Sequence, residues 1–316
     1  MKAWQFTKTH EPLVLAEVDE PTAAPGEVVV DIKAAGLCHS DVGLLEDESF
    51  PLAPGAQVPL TLGHEVAGVI SEVGADVAEW RVGDRVGIAL VGDRVPGLGR
   101  DGGYSFRLTA PPEALVRIPD GVPFEQAAAG TDAGVTAYHA VVAAGQVVAG
   151  TKVGIIGLGG LGQIGARIAV LQGAEVYAAE VKEDVWGLGD QIGVKRVAAD
   201  ISAFADEQLD VIVDFAGFGT TTAAAIETVR PDGRVVQVGM GRLQATISTQ
   251  ALIMRQITLV GVLGGTKDDL RGVYEVLATG RLDPAITTIA FDEIPDGLRR
   301  LSEGTVVGRL VAKIAD

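Results

Sequence analysis

From Glu27 to Ala35 the chain alternates, with Val30, Ile32 and Ala34 on one side and Asp31 and Lys33 on the other, the period of two expected of a strand with one buried face. Further short strands are expected at about Val66–Val73, Arg85–Leu90, Ser105–Leu108 and Leu115–Ile118, divided by turn formers such as Gly83-Asp84 and Pro119-Asp120-Gly121. This opening part reads as all-β. Near residue 130 the texture changes, and short apolar runs begin to alternate with helical patterns, the signature of a parallel sheet covered on both faces. Six such runs occur, Lys152–Ile156, Glu175–Ala179, Lys195–Ala198, Asp210–Phe215, Arg234–Val238 and Ile257–Val262, the strand number of a doubly wound dinucleotide fold. After Gly265 come a helix with Leu270, Val273 and Leu277 on one face, a strand near Ile286–Phe291, a short helix and a last strand, Arg309–Ile314. That tail is expected to return to the β part. The expectation is therefore an α/β chain with a β-rich domain from 1–132 and 266–316 and a parallel-sheet domain from 133–265.

At 316 residues the chain is too long for one small module and can bury a large core. Lys and Arg number 25 and Asp and Glu 42, a formal net charge of −17, which disfavours phosphate backbones and anionic lipid surfaces as partners because association would begin against repulsion. A single cysteine excludes an internal disulfide and a four-cysteine structural zinc site, and points to a reducing, cytoplasmic setting. Lys8, His10, Glu11 and Glu17 interrupt the start, so no signal peptide is expected, and Gln163 and Arg167 break the most apolar region, so no membrane span is expected.

Gly157-Leu158-Gly159-Gly160-Leu161-Gly162 has the G-x-G-x-x-G spacing of a turn that lets backbone approach a pyrophosphate at a helix N-terminus. The 42 glycines weaken the signal: composition alone predicts roughly 0.7 such matches, and Gly97, Gly99, Gly102 and Gly160, Gly162, Gly165 also fit. Context separates them. Only Gly157 follows an apolar strand and opens a helix, with Leu161, Ile164, Ile168 and Leu171 at helical spacing, whereas Gly102-Gly103-Tyr104 leads into none. Glu180 ends the second strand of this region, where a carboxylate accepts hydrogen bonds from the adenosine ribose. Such a carboxylate repels a 2′-phosphate, so NAD is favoured over NADP, although Lys182 lies near enough to keep NADP open.

The cysteine stands in Cys38-His39-Ser40-Asp41, just after Gly36; Gly63-His64-Glu65 follows 26 residues later, and Thr131-Asp132-Ala133-Gly134 marks the change of texture. Thiolate, imidazole and carboxylate are acceptable zinc ligands, and a fourth position left open marks a catalytic site. Taken singly each has a plainer explanation: a small buried hydrophobe, a polar turn, a helix cap.

Together these residues resemble the zinc-dependent medium-chain alcohol dehydrogenases. That family carries a G-x-C-H-S/T-D segment, a G-H-E segment, a C-A-G-x-T-x-Y or D-A-G-x-T-x-Y helix start and a G-x-G-G-x-G turn, matched here by Gly36 to Asp41, Gly63 to Glu65, Asp132 to Tyr138 (the aspartate form) and Gly157 to Gly162. The resemblance implies a GroES-like catalytic domain and a Rossmann domain, with Cys38, His64 and Asp132 as zinc ligands and Glu65 an occasional or outer ligand. It further implies that Asp41 orients His64, that Ser40 takes the alcohol proton, that His39 and Arg309 meet the cofactor pyrophosphate and that Thr136 packs beside the nicotinamide. The glycines from Gly157, with Gly159, Gly160, Leu161 and Gly162, and Glu180 would bind the nucleotide. Partners implied are a small alcohol or ketone and a second copy or more of the chain, as homodimer or homotetramer, through the edge near Ile257–Val262.

Two departures stand out. The interval from Val86 to Gly102 holds no cysteine-rich lobe, so one catalytic zinc and no structural zinc are expected. Gly43 stands where many relatives carry a proton-relaying histidine. The shortened interval keeps alive a zinc-free quinone or enoyl reductase of the same superfamily; a non-catalytic nucleotide-binding protein is the alternative from another class. Retention of all three ligand types and of Ser40 speaks for the zinc enzyme.

Overall fold

The computed structural model describes residues 1–92 and 94–315. Two compact units emerge, Met1–Asp132 with Thr266–Asp316, and Ala133–Gly265.

In the first unit, β1 (Lys2–Phe6), β2 (Val14–Glu17) and β4 (Leu60–Thr61) form a small antiparallel sheet, and β3 (Val28–Leu37), β5 (Glu65–Val73), β6 (Arg85–Ile88), β7 (Arg107–Ala110) and β8 (Leu115–Arg117) build a larger one. The chain's tail completes it: β15 (Ile286–Ala290) pairs parallel with β16 (Arg309–Lys313), and β16 pairs antiparallel with β3. The alternation expected in β3 holds from Val30 to Ala34, with Asp31 and Lys33 less buried than their neighbours, but does not extend back to Val29. Val28, Val29, Val30 and Ile32 are all buried, because strands flank β3 on both edges and α2 (Phe124–Ala129) packs on it. The strand expected at Ser105–Leu108 lies two residues later, since the Ser105 hydroxyl donates to Gly102 O and Arg107 O and holds that point in a turn. Helix α1 (His39–Glu46) follows β3 directly. Helix α8 (Lys267–Ala278) begins with a reciprocal cap between Thr266 and Asp269 and buries Leu270, Val273, Tyr274 and Leu277, each apolar side chain contributing about 2 kcal/mol of burial.

The second unit is a six-stranded parallel sheet: β9 (Lys152–Ile156), β10 (Glu175–Ala179), β11 (Arg196–Ala198), β12 (Val211–Asp214), β13 (Arg234–Gln237) and β14 (Thr258–Gly261). Their spatial order is β11-β10-β9-β12-β13-β14, so the strand order reverses between β9 and β12. In such sheets ligands bind outside the carboxyl ends of the strands at that reversal. Helix α4 (Gly162–Leu171) follows β9 and buries Ile164 and Ile168. The crossover from β11 to β12 is a run of tight helical turns, Ile201–Glu207, in place of an α-helix. Among the described residues no helix is long and apolar enough to cross a membrane.

Candidate functional site

Cys38 ends the buried strand β3 and occupies the N-cap position of α1. His64 opens β5 after a turn at Gly63, whose φ of 90° is a left-handed conformation that glycine adopts without strain. Asp132 lies in a π-helical turn, Gly130–Gly134, an irregularity that recurs at functional sites because it re-aims a side chain. These three distant stretches converge in the first unit. Asp132 Oδ2 lies 3.4 Å from Cys38 Sγ and 3.4 Å from His64 Nε2, and one donor atom from each of Cys38, His64, Glu65 and Asp132 falls within 4.8 Å of the others. For zinc bonds of about 2.0–2.3 Å the edges of a tetrahedron are roughly 3.3–3.8 Å, so the observed spacings suit one ion. The chemistry agrees: a buried thiol beside two carboxylates and an imidazole is a donor set in need of a cation, and Glu65 Oε2 is buried with no hydrogen-bond partner. The residues present therefore fit a zinc ion.

Behind these four donor groups lies a support layer. Asp41 is fully buried, with Oδ1 3.4 Å from His64 Nδ1, while Oδ2 accepts from Cys38 N at 3.2 Å and from the Tyr104 hydroxyl at 2.8 Å. Burial alone would lower the pKa of His64, but the negative charge of Asp41 and hydrogen bonds to Asp132, Asp41 and Cys38 more than offset it, and the imidazole sits well above its ordinary value. Glu65 Oε1 accepts from the Arg309 guanidinium, both groups being essentially inaccessible. Gly36 faces Glu65 across β3 and β5, and a Cβ there would run into the Glu65 side chain. Burial holds Arg309 below its ordinary pKa, and its charge adds to burial in lowering that of His39. Ser40 Oγ is 3.7 Å from Cys38 Sγ and partly accessible. Gly43 is crowded: a Cβ there would lie 2.6 Å from Phe50 Cδ2, so Phe50 fills the space a larger residue would claim.

In the second unit Gly157 takes φ of 87° directly after β9, and a Cβ on Gly162 would collide with Gly157 O, so both are needed for the turn and the close approach of α4. Gly159 is different, since a Cβ there would meet nothing within 4 Å. No internal packing requires glycine at Gly159, and the open space suits a pyrophosphate approaching the backbone. Gly160 continues the turn, and Leu161 is the N-cap of α4. Glu180 faces this turn, its Oε2 accepting from Leu158 N at 2.8 Å and its Oε1 from Lys182 N at 2.9 Å. The residues of this turn thus fit a dinucleotide. Thr136 is buried in the short helix Val135–Tyr138. Gly159→Val should leave the apparent Tm unchanged and weaken nucleotide binding about thirtyfold, a cost of about 2 kcal/mol, measured by NADH fluorescence titration.

Residues outside the motifs also build the site. Asp214, fully buried at the end of β12, accepts from Ala216 N and Gly217 N with one oxygen and from the Thr221 and Thr222 hydroxyls with the other, fixing a loop whose Ala216 lies 3.5 Å from the position of a Cβ on Gly157. An acid ending an apolar strand before a glycine was its only sequence signal. Gly97 and Gly102 of the competing match pack backbone on backbone instead: Gly102 N donates to Thr61 O at 2.9 Å, and a Cβ on Gly97 would lie 2.7 Å from Gly63.

Residues 24–120 match the family model described as the alcohol dehydrogenase GroES-like domain, and residues 160–279 that described as zinc-binding dehydrogenase. The chain is 31% identical to an alcohol dehydrogenase of Geobacillus stearothermophilus, over 99% of this chain and 100% of that one. It is 28% identical to the NADP-dependent alcohol dehydrogenase C of Mycobacterium bovis, over 99% of this chain and 98% of the relative. Acetophenone reductase from Geotrichum candidum, solved in complex with NAD, has a TM-score of 0.90 at 30% identity, covering 99% of this chain and 97% of the other.

Proposed function

The chain belongs to the zinc-type medium-chain dehydrogenase/reductase family, and from that premise we propose that it interconverts a secondary or medium-sized apolar alcohol and its carbonyl counterpart with NAD, using one zinc ion held by Cys38, His64 and Asp132. It is an alcohol dehydrogenase or carbonyl reductase by kinship. The observation that carries the site assignment is the convergence of Cys38, His64, Glu65 and Asp132 donor atoms. A zinc-free reductase would have no use for it.

When bound, zinc supplies Lewis acidity toward the substrate oxygen and the nicotinamide takes or returns the hydride. The chain's own groups do the rest. Cys38 and Asp132 bring negative charge that holds the cation, and Asp41 keeps the His64 ring turned so that Nε2 faces the other ligands. Ser40 accepts the hydroxyl proton as the carbinol carbon gives up its hydride, and returns it in the ketone direction. With Gly43 closed off by Phe50, the proton continues from Ser40 through a cofactor hydroxyl or water. Gly157 to Gly162 seat the pyrophosphate, Glu180 accepts from the ribose, His39, kept neutral by burial and by Arg309, offers a ring N–H to the phosphates, and Arg309 supplies the positive charge.

Reading the cofactor as NAD rests on the Glu180 carboxylate at the glycine turn. Glu180→Gln should move the NAD to NADP preference toward NADP by about tenfold in kcat/KM, the size of one hydrogen bond to a charged group. An unchanged ratio would place cofactor choice elsewhere. A homodimer or homotetramer is proposed because β14 is an edge strand with Leu259 and the neighbouring Leu263 and Met254 exposed. A cytosolic setting accords with the unpaired Cys38. The direct test of function is NADH formation from a panel of short secondary alcohols, with zinc measured on the untreated protein. One zinc per chain with turnover is expected, and turnover by metal-free protein would defeat the assignment.

A further inference from the structure

Tyr104 is one of the largest fully buried side chains, and its polar end points at the metal-binding machinery. The hydroxyl donates to Asp41 Oδ2 at 2.8 Å and also lies 3.4 Å from Gly36 O. The other Asp41 oxygen faces His64 Nδ1. The ring has a second hold on the same histidine: a Cβ on Gly63 would lie 2.5 Å from Tyr104 Cδ1, so the ring lies flush against the turn that delivers His64. Backbone bonds lock that arrangement, Tyr104 N donating to Leu62 O at 2.9 Å, Gly103 N to Gly63 O at 2.7 Å and Trp4 N to Tyr104 O at 2.8 Å. The bonds from the Tyr104 hydroxyl to Asp41 and Gly36 and from Cys38 N to Asp41 are all buried.

We propose that Tyr104 is a positioning residue for the metal, its hydroxyl holding the Asp41 carboxylate in the orientation that aims His64 Nε2 at the other ligands. The proposal rests on the reading that Cys38, His64 and Asp132 hold the ion. Asp41 needs the tyrosine because a carboxylate has two oxygens and only one serves His64. Without a donor on the other side, that oxygen would be left with the single 3.2 Å bond from Cys38 N, free to rotate and take the imidazole's partner with it. A phenol suits the task because it reaches from a strand-side turn and remains a donor: burial first, and then the charge of Asp41, push its pKa well above the usual value. The glycine-rich stretch from Gly97 to Gly103 has a purpose in this light. It threads Tyr104 beneath Gly63 at backbone contact distance.

Tyr104→Phe keeps the ring under Gly63 and removes only the hydroxyl. In competition with a chromophoric chelator, zinc affinity of the purified protein should fall by about tenfold or more, the usual effect of losing a group behind a ligand. The visible spectrum of the cobalt-substituted protein should also change, while NADH binding stays as in the parent and the metal-stripped protein loses a few degrees of apparent Tm, because Asp41 gives up a buried donor. Affinity within twofold of the parent and an unchanged cobalt spectrum would overturn the proposal. A parent protein that takes up no zinc would instead overturn the metal assignment itself, so the two failures are distinct. An independent measurement needs no variant at position 104. The chain has four tyrosines, so Cζ-labelled tyrosine gives four resonances, assignable by replacing the other three. Zinc addition to the stripped protein should shift the Tyr104 signal and leave that of Tyr177, whose hydroxyl bonds to Glu175 and Glu207, in place. A Tyr104 signal indifferent to zinc would overturn the proposal even if Tyr104→Phe failed to fold.

Discussion

Cys38→Ser should emerge folded, free of metal and nearly without turnover. Serine is a good helix N-cap, so the place of Cys38 at the start of α1 is served as well by a hydroxyl as by a thiol, and the strand and helix on either side keep their packing. What disappears is the thiolate. A hydroxyl does not ionise near neutral pH and is not among the usual zinc donors, and with only imidazole and carboxylate left the ion is held by too few groups. Loss of Lewis acidity removes several kcal/mol of stabilisation from the hydride step, so alcohol oxidation should fall about a thousandfold or more. NAD affinity should remain within a few-fold, because the Gly157–Gly162 turn and Glu180 belong to a unit that folds around its own core. Zinc analysis, steady-state NADH formation and fluorescence titration of NADH check the three statements separately. Retained turnover in a metal-free Cys38→Ser protein would sink the ligand assignment.

Arg309→Met should be the most damaging single change to the stability of the β-rich unit. Arg309 lies in β16 at 3% exposure, and its ion-pair partner Glu65 is at 0%. Methionine matches the length of the side chain but leaves a buried carboxylate with neither of its oxygens compensated, since Glu65 Oε2 already lacks a partner. Breaking a buried pair from one side costs about 3–5 kcal/mol, far more than the pair contributes over an apolar replacement. For a unit of this size the apparent Tm should fall by roughly 10 °C. The double variant Glu65→Gln with Arg309→Met should recover most of that loss by removing both charges. A shift of less than about 1 °C in the single variant would show that the pair is not what holds Glu65 in place. The same variant tests the cofactor role implied for Arg309. A guanidinium engaged by Glu65 has less to offer a phosphate than an exposed one, so nucleotide affinity should change less than stability does.

The nucleotide unit was readable nearly strand by strand. Parallel strands covered on both faces must be continuous apolar runs, and such runs, bounded by Gly and Asp, announce themselves without reference to anything distant. The observed β9 and β10 coincide with the expected runs, and the other four differ by a residue or so at their ends. The β-rich unit was harder. β1 and β2 carry Lys2, Gln5 and Glu17 and leave most of their residues at least partly accessible, so their hydrophobic pattern is too weak to separate them from loop. The donor types that converge at the candidate metal site and the glycine turn stood out in the sequence because few residue types carry such chemistry. The turn of Gly157 and the reach of Glu180 toward it are local events within one strand, helix, strand unit.

By itself, then, the chain's order of residues determined its two-part organisation, its parallel sheet, its nucleotide turn and the donor atoms available to a metal, since these follow from periodicity and from the side chains' own chemistry. Only the tertiary structure decided which groups stand behind them. Tyr104 meets Asp41 across 63 residues, Arg309 meets Glu65 across 244, and Phe50 closes the space beside Gly43 from a loop. Such pairings depend on how β3, β5 and β16 lie against one another, and buried polar partners are chosen by that packing and by the need to leave no charge unanswered.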